Sequence, residues 1–133
     1  MHLCDMLRFA KFEGTGNDFI LVNDQDATFP SEDLAFVRHL CDRHFGVGSD
    51  GLILVQTPKE PGTDFHMEFF NPDGSKSFCG NGSRCAYAFW CRVEGGMEPA
   101  RFTAIDGVHA AEWRNGLVRV AMRDVASVER VDE

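Results

Sequence analysis

Apolar residues along the chain follow strand-like spacing in several short stretches. Some of these stretches alternate apolar with polar residues, which is typical of a half-buried strand, and others are continuously apolar, which is typical of a fully buried one. Turn residues separate them, and Asn115-Gly116 joins the last two as a hairpin. The predicted strands are about 8–12, 19–23, 52–55, 65–69, 101–105, 108–113 and 117–122.

Two stretches have helical spacing instead. Ser31 and the acids after it predict the start of an amphipathic helix over about 32–43, which packs on the sheet. Ser83 is the predicted N-cap of a second helix, whose residues up to Arg92 are almost all apolar. A helix that is apolar all round is a buried helix, so this second helix is expected at the centre of the molecule.

Many short strands around one apolar helix predict an α+β fold, in which a curled, mostly antiparallel sheet or β-barrel wraps around a central apolar helix. The 133 residues fit a single domain over 1–133. The polar tail, 124–133, is predicted to be a frayed end or a linker.

The sequence around Cys79 combines a thiol with a Gly80-Asn81-Gly82 turn just before the apolar helix. The start of a helix carries unpaired N–H groups and a partial positive charge, which favour an anion or a thiolate held there. Glycines also let an anion approach the backbone closely. Cys79 is therefore a candidate acid/base or nucleophile, while the alternative, a small buried hydrophobic residue, remains equally open on spacing alone.

The composition narrows the classes of function. A net charge of −8 without a cluster of Lys and Arg argues against nucleic acid and anionic membranes as partners. The sequence has no apolar run of the roughly 20 residues that a membrane span needs, and no signal-peptide pattern at its start. Five irregularly spaced cysteines are typical of reduced thiols, so we expect a cytoplasmic protein.

Two other motifs resemble binding sites but do not fit them. His39, Cys41 and His44 lack the spacing of metal ligands on a helix and have no second Cys/His pair, so no metal site is predicted. The stretch 46–51 matches G-x-G-x-x-G letter by letter, but a helix precedes it and a strand follows it. The dinucleotide fingerprint needs the opposite order, so 46–51 is interpreted as a helix-to-strand connection.

The loop 14–18 has two open interpretations. Its glycines are typical of a hairpin turn between two strands. They also leave Asn17 free to present its side-chain amide to a ligand.

Taken together, four motifs resemble the N-terminal half of the diaminopimelate epimerase family. They stand in that family's order over residues 9–91, and weaker similarity continues through Asp106-Gly107 and 118–122. The motifs are Phe12-Glu13-Gly14-Thr15-Gly16-Asn17-Asp18-Phe19, Arg43-His44-Phe45-Gly46-Val47-Gly48-Ser49-Asp50-Gly51, Phe70-Asn71-Pro72-Asp73-Gly74-Ser75 and Cys79-Gly80-Asn81-Gly82-Ser83-Arg84-Cys85.

The resemblance implies a cofactor-independent isomerase of lysine and peptidoglycan precursor synthesis that interconverts LL- and meso-diaminopimelate. It also implies two pseudo-symmetric halves, each a β-barrel around a central helix, with a small amino-acid substrate between them. In the family one cysteine thiolate takes the α-proton and a second cysteine thiol delivers one on the opposite face. Such an α-proton is weakly acidic, so the reaction needs a reactive base and stabilisation of the developing enolate.

The motifs assign residues to these roles by position. Cys79 matches the first of the two cysteines, and Gly80 and Asn81 match positions whose backbone amides hold the substrate. Asn17 and Asn71 match substrate-binding asparagines. Gly51 stands where many members carry a substrate-contacting Gln, so the resemblance implies that this contact is absent or made by the backbone. Cys85 recurs in the motif but is expected to be a core residue.

The length departs from the family, whose members are about twice as long and take their second catalytic cysteine from the other half. Three hypotheses follow. The chain is a fragment or isolated domain of a full epimerase, which we favour; or it forms a homodimer that brings two Cys79 thiols together; or it is a non-catalytic binding or assembly module that keeps the fold.

Overall fold

The computed structural model describes residues 7–122, which form one curled sheet with a helix on each face. The predictions for the tail 124–133 lie outside this range. The strands are β1 Ala10–Gly14, β2 Asn17–Asn23, β3 Leu52–Gln56, β4 Phe65–Phe70, β5 Ala100–Ala104, β6 Gly107–Arg114 and β7 Leu117–Met122, and the helices are α1 Leu34–Cys41 and α2 Gly80–Glu94.

The strands lie side by side in chain order, from β1 at one edge to β7 at the other. Neighbouring strands are antiparallel except for the β2–β3 and β4–β5 pairs, which are parallel. The sheet curls around α2 so far that α2 contacts both edge strands. The predicted α+β fold, with a mostly antiparallel sheet around an apolar helix, is confirmed.

Two cores explain why β2 and β3 are continuously apolar. Residues of both strands alternate between the two faces, because successive side chains of a strand point in opposite directions. One set, which includes Phe19 and Ile53, packs against α2, and the other, which includes Ile20 and Leu52, packs with α1. Each strand is therefore buried on both faces, as the uninterrupted apolar runs predicted.

The turn between β1 and β2 is tighter than predicted. Gly14 pairs with Asn17, so the turn consists of Thr15 and Gly16, whose φ angles are 54° and 89°. Positive φ at both central residues suits a two-residue hairpin, because its twist matches that of the strands. The strand β2 consequently begins at Asn17, within the stretch predicted as loop.

Helix α1 is shorter than the predicted 32–43. Asp33, and not Ser31, is the N-cap, because its side chain accepts a hydrogen bond from the N–H of Phe36 at 3.1 Å. The helix ends where Asp42 turns to an extended conformation and its carboxylate accepts from the N–H groups of His44 and Phe45.

In β4 the apolar residues Phe65, Met67 and Phe69 alternate with His66 and Glu68, which predicts an amphipathic strand, and its polar side is more buried than that pattern indicates. His66 is only 8% exposed. Its ring nitrogens lie 2.6 Å from Thr103 Oγ1 and 2.9 Å from Glu68 Oε2. Because β4 lies inside the sheet, its polar side chains are covered, and they avoid the cost of burial by bonding to one another.

Neither of the described helices has the length and apolar composition that crossing a bilayer requires.

Candidate active site

The N-terminus of α2 is built around Cys79. Cys79 is the N-cap, with an extended backbone at φ −131° and ψ 117°. Its sulfur accepts a hydrogen bond from the N–H of Gly82 at 3.3 Å, and its carbonyl accepts from the N–H of Ser83 at 2.8 Å. The thiol is half-buried, so the interpretation of Cys79 as a fully buried small residue does not hold.

The predicted N-cap, Ser83, is wrong by one turn. Ser83 is fully buried within α2 and its hydroxyl donates to the carbonyl of Gly80 at 2.7 Å. The Gly80-Asn81-Gly82 stretch is therefore the first turn of the helix, because the sulfur of Cys79 takes the capping role that a hydroxyl usually fills.

The two glycines of this turn differ in what surrounds them. A side chain at Gly80 would meet no atom within 4 Å, whereas one at Gly82 would lie 3.2 Å from Ile53 Cδ1. Gly80 thus leaves the backbone open to a ligand, and Gly82 lets the helix pack on β3.

The first amides of a helix have no acceptor in the helix itself. In α2 the N–H groups of Gly82 and Ser83 bond to Cys79, whereas residues 7–122 supply no acceptor for those of Gly80 and Asn81. The two amides point out of a helix start, where a negatively charged group is favoured.

Asn17 joins the helix start from β2. Its Oδ1 accepts from Asn81 Nδ2 at 2.9 Å, and its Nδ2 donates to Asp50 Oδ2 at 3.3 Å. Asn81 Oδ1 in turn accepts a hydrogen bond from Arg84. Both asparagine side chains are therefore held in fixed orientations. The loop is the predicted hairpin turn, and it brings the Asn17 amide to the helix start; that this amide also meets a ligand stays a prediction.

Asp50, which accepts the hydrogen bond from Asn17, belongs to an ion-pair network. Arg43 bridges Asp18 and Asp50, with Nη2 at 2.8 Å from Asp18 Oδ1 and 3.1 Å from Asp50 Oδ1, and Lys11 lies 3.0 Å from Asp18. The hydrogen bonds from the Arg43 guanidinium hold the pKa of Asp18 well below its usual range, against the opposing effect of burial.

Asn71 holds the segment that leads to Cys79. It ends β4, and its Nδ2 donates to Ser75 Oγ and Ser77 Oγ, each at 3.1 Å. The predicted turn 71–75 is confirmed, with the N–H of Gly74 bonded to the carbonyl of Asn71 at 2.8 Å. The donors of Asn71 thus serve its own turn and Ser77, two residues before Cys79.

The other described cysteines, Cys41, Cys85 and Cys91, are all buried. Burial raises the pKa of the Cys41 thiol, and it raises the pKa of the Cys85 thiol to about 11. Cys85 is a core residue, as predicted. Among residues 7–122, Cys79 is the cysteine whose thiol is partly open to solvent.

A shallow cavity of about 240 Å³ opens beside the helix start. Gly80, Arg84 and the Asp106–His109 pair line it, together with Phe78. The N–H groups of the helix start and the guanidinium of Arg84 beside this cavity favour a carboxylate there, while the Asp106 carboxylate, which lies 2.8 Å from His109, opposes it.

No cation site is evident among the described residues. Within residues 7–122 no group of three or more His, Cys, Asp or Glu side chains is placed to hold a metal ion. The glycine-rich stretch 46–51 connects α1 to β3, which confirms its interpretation as a helix-to-strand connection.

The model of the family described as diaminopimelate epimerase matches residues 9–129 of this chain. The chain belongs to the diaminopimelate epimerase family.

Curated relatives in this family match most of the chain. A diaminopimelate epimerase of Flavobacterium psychrophilum is 40% identical over 124 residues, which are 92% of this chain and 48% of that protein. One of Aquifex aeolicus is 45% identical over 123 residues, 83% of this chain and 43% of that protein. The chain spans about half the length of the curated relatives it matches.

Solved structures share the fold at low identity. A hydroxyproline epimerase from Agrobacterium vitis, with bound trans-4-hydroxy-L-proline, superposes with a TM-score of 0.68 at 15% identity. The match covers 92% of this chain and 43% of that chain. This likeness concerns the fold alone, and it agrees with a half-barrel around a central helix.

Gly51 packs against the core at the position where many family members carry a Gln. It is buried just before β3, and a side chain there would lie 2.5 Å from the ring of Phe69. Its carbonyl accepts from the N–H of Ile20 and from Ser49 Oγ, so neither side chain nor carbonyl is available for a substrate.

Sequence reasoning missed the residues that hold the site together. Arg84 and Asp50 lie inside two of the four family motifs. A charged residue within a glycine-rich loop was the sequence feature that could have marked each of them as a site residue. Asp106 and His109 lie in the β5–β6 hairpin, far along the chain from Cys79, and no local pattern marks them.

Proposed function

We propose that this chain supplies one half of a cofactor-independent diaminopimelate epimerase, in which Cys79 exchanges the α-proton of LL- or meso-diaminopimelate. The observation that carries the proposal is the half-buried Cys79 thiol on the N-cap of α2, in a chain of the diaminopimelate epimerase family. We further propose that Asn17, Asn71, Gly80 and Asn81 bind the substrate.

The geometry supports a separation of tasks at the helix start. The Cys79 sulfur lies at one end of the first turn, and the unpaired N–H groups of Gly80 and Asn81 follow it directly. An α-carboxylate bound to those amides becomes enolate-like when the α-proton leaves, and fixed donors stabilise that charge without reorganising. Proton removal and charge stabilisation would thus occur within one helical turn.

A two-base reaction needs a second thiol on the opposite face of the substrate. The other described cysteines are buried, at 3% exposure for Cys41 and 5% for Cys85 and Cys91. None of these three cysteines is exposed as Cys79 is, so we propose that the second thiol comes from another polypeptide segment, either a C-terminal half or a second copy of the chain.

A chimera tests whether a C-terminal half supplies the second thiol. Residues 9–122 replace the matching segment of the Flavobacterium psychrophilum relative, and epimerisation and solvent deuterium exchange of LL- and meso-diaminopimelate are measured. We expect activity, and we expect Cys79→Ser to lower kcat by at least about a hundredfold, the usual contribution of a general acid or base.

Cys85→Ser is the matched control, since Cys85 lies six residues further along the same helix and is buried. It is expected to keep turnover. The proposal is contradicted if the folded chimera is inactive with Cys79 intact, or if Cys79→Ser leaves its activity unchanged.

The second source is tested with the 133-residue chain alone. Cys79-dependent deuterium exchange with inversion at the α-carbon would mean that two copies build a complete site. Absence of exchange from a folded sample, together with an active chimera, would assign the second thiol to a C-terminal half.

A further inference from the structure

The segment that carries Cys79 belongs to no regular element. An isolated bridge pairs Lys76 with Phe70, and α2 begins at Gly80, so residues 77–79 lie between sheet and helix. A catalytic thiol needs a fixed position, because a misplacement of about 1 Å can lower a rate by on the order of a hundredfold. The contacts that fix 77–79 therefore matter for the proposed reaction.

Phe78, directly before Cys79, is the last ring of a continuous aromatic stack. Its centroid lies 4.5 Å from that of His109, with an interplanar angle of 4°. His109 stacks on Phe102 at 5.3 Å, Phe102 on Phe65 at 4.9 Å, and Phe65 on Trp90 at 5.4 Å.

This stack connects the two ends of α2 through the sheet. Trp90 lies near the C-terminal end of the helix, Phe65 and Phe102 lie in β4 and β5, and His109 lies in β6. Phe65 and Phe102 are fully buried and cannot shift without disturbing the core. The stack thus gives Phe78 a rigid support, although Phe78 itself is in an irregular segment.

Asp106 orients the ring on which Phe78 rests. His109 is 3% exposed, and its Nε2 lies 2.8 Å from Asp106 Oδ1. Asp106 belongs to the turn between β5 and β6, so one hairpin carries both partners. The hydrogen bond fixes the plane of the imidazole, which is the plane that Phe78 adopts.

We infer that His109, oriented by Asp106, is a positioning residue for Cys79. By stacking on Phe78 it holds residues 77–79 so that the Cys79 sulfur and carbonyl stay bonded to the N–H groups of Gly82 and Ser83. The catalytic importance of this support rests on the proposed function, whereas the support itself does not.

Amide hydrogen exchange of the 133-residue chain, followed by NMR at Gly82 and Ser83, tests the support without any substrate. In His109→Ala we expect exchange at both amides to be about threefold to tenfold faster, since the ring pair that supports Phe78 is lost, together with the pair between His109 and Phe102, while the core stays folded. His109→Phe keeps a ring in the stack and is expected to restore most of the protection. The amides of β3 serve as the internal reference for global stability.

His66→Ala is the matched control, since His66 is another buried histidine bonded to a carboxylate, but its ring is not part of the stack. It is expected to leave Gly82 and Ser83 unchanged relative to β3. Unchanged exchange in a folded His109→Ala chain overturns the inference, as does equal acceleration in His66→Ala or in His109→Phe. If His109→Ala does not fold, His109→Leu, which fills the space without an aromatic ring, takes its place under the same criteria.

The chimera adds the catalytic readout. A positioning role predicts that His109→Ala lowers kcat severalfold with a smaller change in KM, and that His109→Phe recovers kcat. An inactive parent chimera would remove the proposed function but leave the exchange result standing. An active chimera whose kcat is insensitive to His109→Ala would remove the positioning role instead.

Discussion

Gly51 is the position where the structure makes its sharpest prediction about packing. A Cβ atom at residue 51 would lie 2.5 Å from Cε1 and 2.6 Å from Cζ of Phe69, and 3.1 Å from the carbonyl oxygen of Phe70. Phe69 has little room to move, because it is 5% exposed and its ring packs edge-on against Phe19 at 6.0 Å. Gly51→Ala therefore forces either a ring in the core or the backbone of β4 to shift.

The cost follows from that crowding. Overpacking a well-packed core by one methyl group typically costs about 1–3 kcal/mol of unfolding free energy, and we expect about 2 kcal/mol here. A smaller side chain at position 69 removes two of the three close contacts. In the Phe69→Leu background, Gly51→Ala should therefore cost less than about 1 kcal/mol, which makes the double-mutant coupling about 1 kcal/mol or more.

Urea denaturation of the 133-residue chain, followed by circular dichroism, measures these free energies, and the dependence on urea concentration should stay unchanged. Gly96→Ala is the control, since a side chain at Gly96 would meet no atom within 4 Å. It should change stability by no more than about 0.5 kcal/mol. A Gly51→Ala chain as stable as the wild type, or additive effects with Phe69→Leu, would refute the packing argument.

Three further predictions concern the capping cysteine, the β4 carboxylate and the central tyrosine. Cys79→Ala should lower the free energy of unfolding by about 1 kcal/mol, while Cys79→Ser should leave it unchanged, because Ser is a preferred N-cap. Equal urea midpoints for the Ala and Ser variants would contradict the capping role. The hydrogen bond from His66 lowers the pKa of Glu68 from 4.5 to about 2, so its stabilisation is present above pH 4.5 and is lost as the pH falls toward 2. The gap in stability between wild type and Glu68→Gln should shrink from pH 6 to about pH 3, and a constant gap would exclude this linkage. Tyr87→Phe should cost about 1 kcal/mol, because the buried hydroxyl donates to the carbonyl of Glu98 at 2.7 Å, and an unchanged urea midpoint would exclude that contribution.

The strands and the central helix follow from local sequence because their patterns are strong. The continuous apolar runs of β2 and β3 predicted burial on both faces, and Asn115-Gly116 predicted the hairpin between β6 and β7. Asn115 and Gly116 adopt φ angles of 55° and 80°, as a two-residue hairpin requires. In each case the deciding interactions lie within a few residues of one another.

The errors occur where distant residues decide. His66 alternates with apolar neighbours, so its pattern predicted exposure, but its partner Thr103 lies in another strand. Ser83 is a better capping residue than Cys79 by local preference, yet Cys79 caps the helix and Ser83 is fully buried one turn inside it. No single-sequence pattern contains these tertiary contacts.

The candidate site combines both kinds of information. The stretch around Cys79 contains the thiol and, among the described residues, two N–H groups without an acceptor in consecutive positions, so the local sequence contains the groups that the proposed reaction needs. Their placement depends on other parts of the chain, since Asn17 reaches Asn81 from β2 and His109 supports Phe78 from β6. A graft of residues 78–85 onto an unrelated helix would therefore carry the reactive groups without the contacts that fix them. We expect such a graft to lack the protection at Gly82 and Ser83 that distinguishes a positioned thiol from an exposed one.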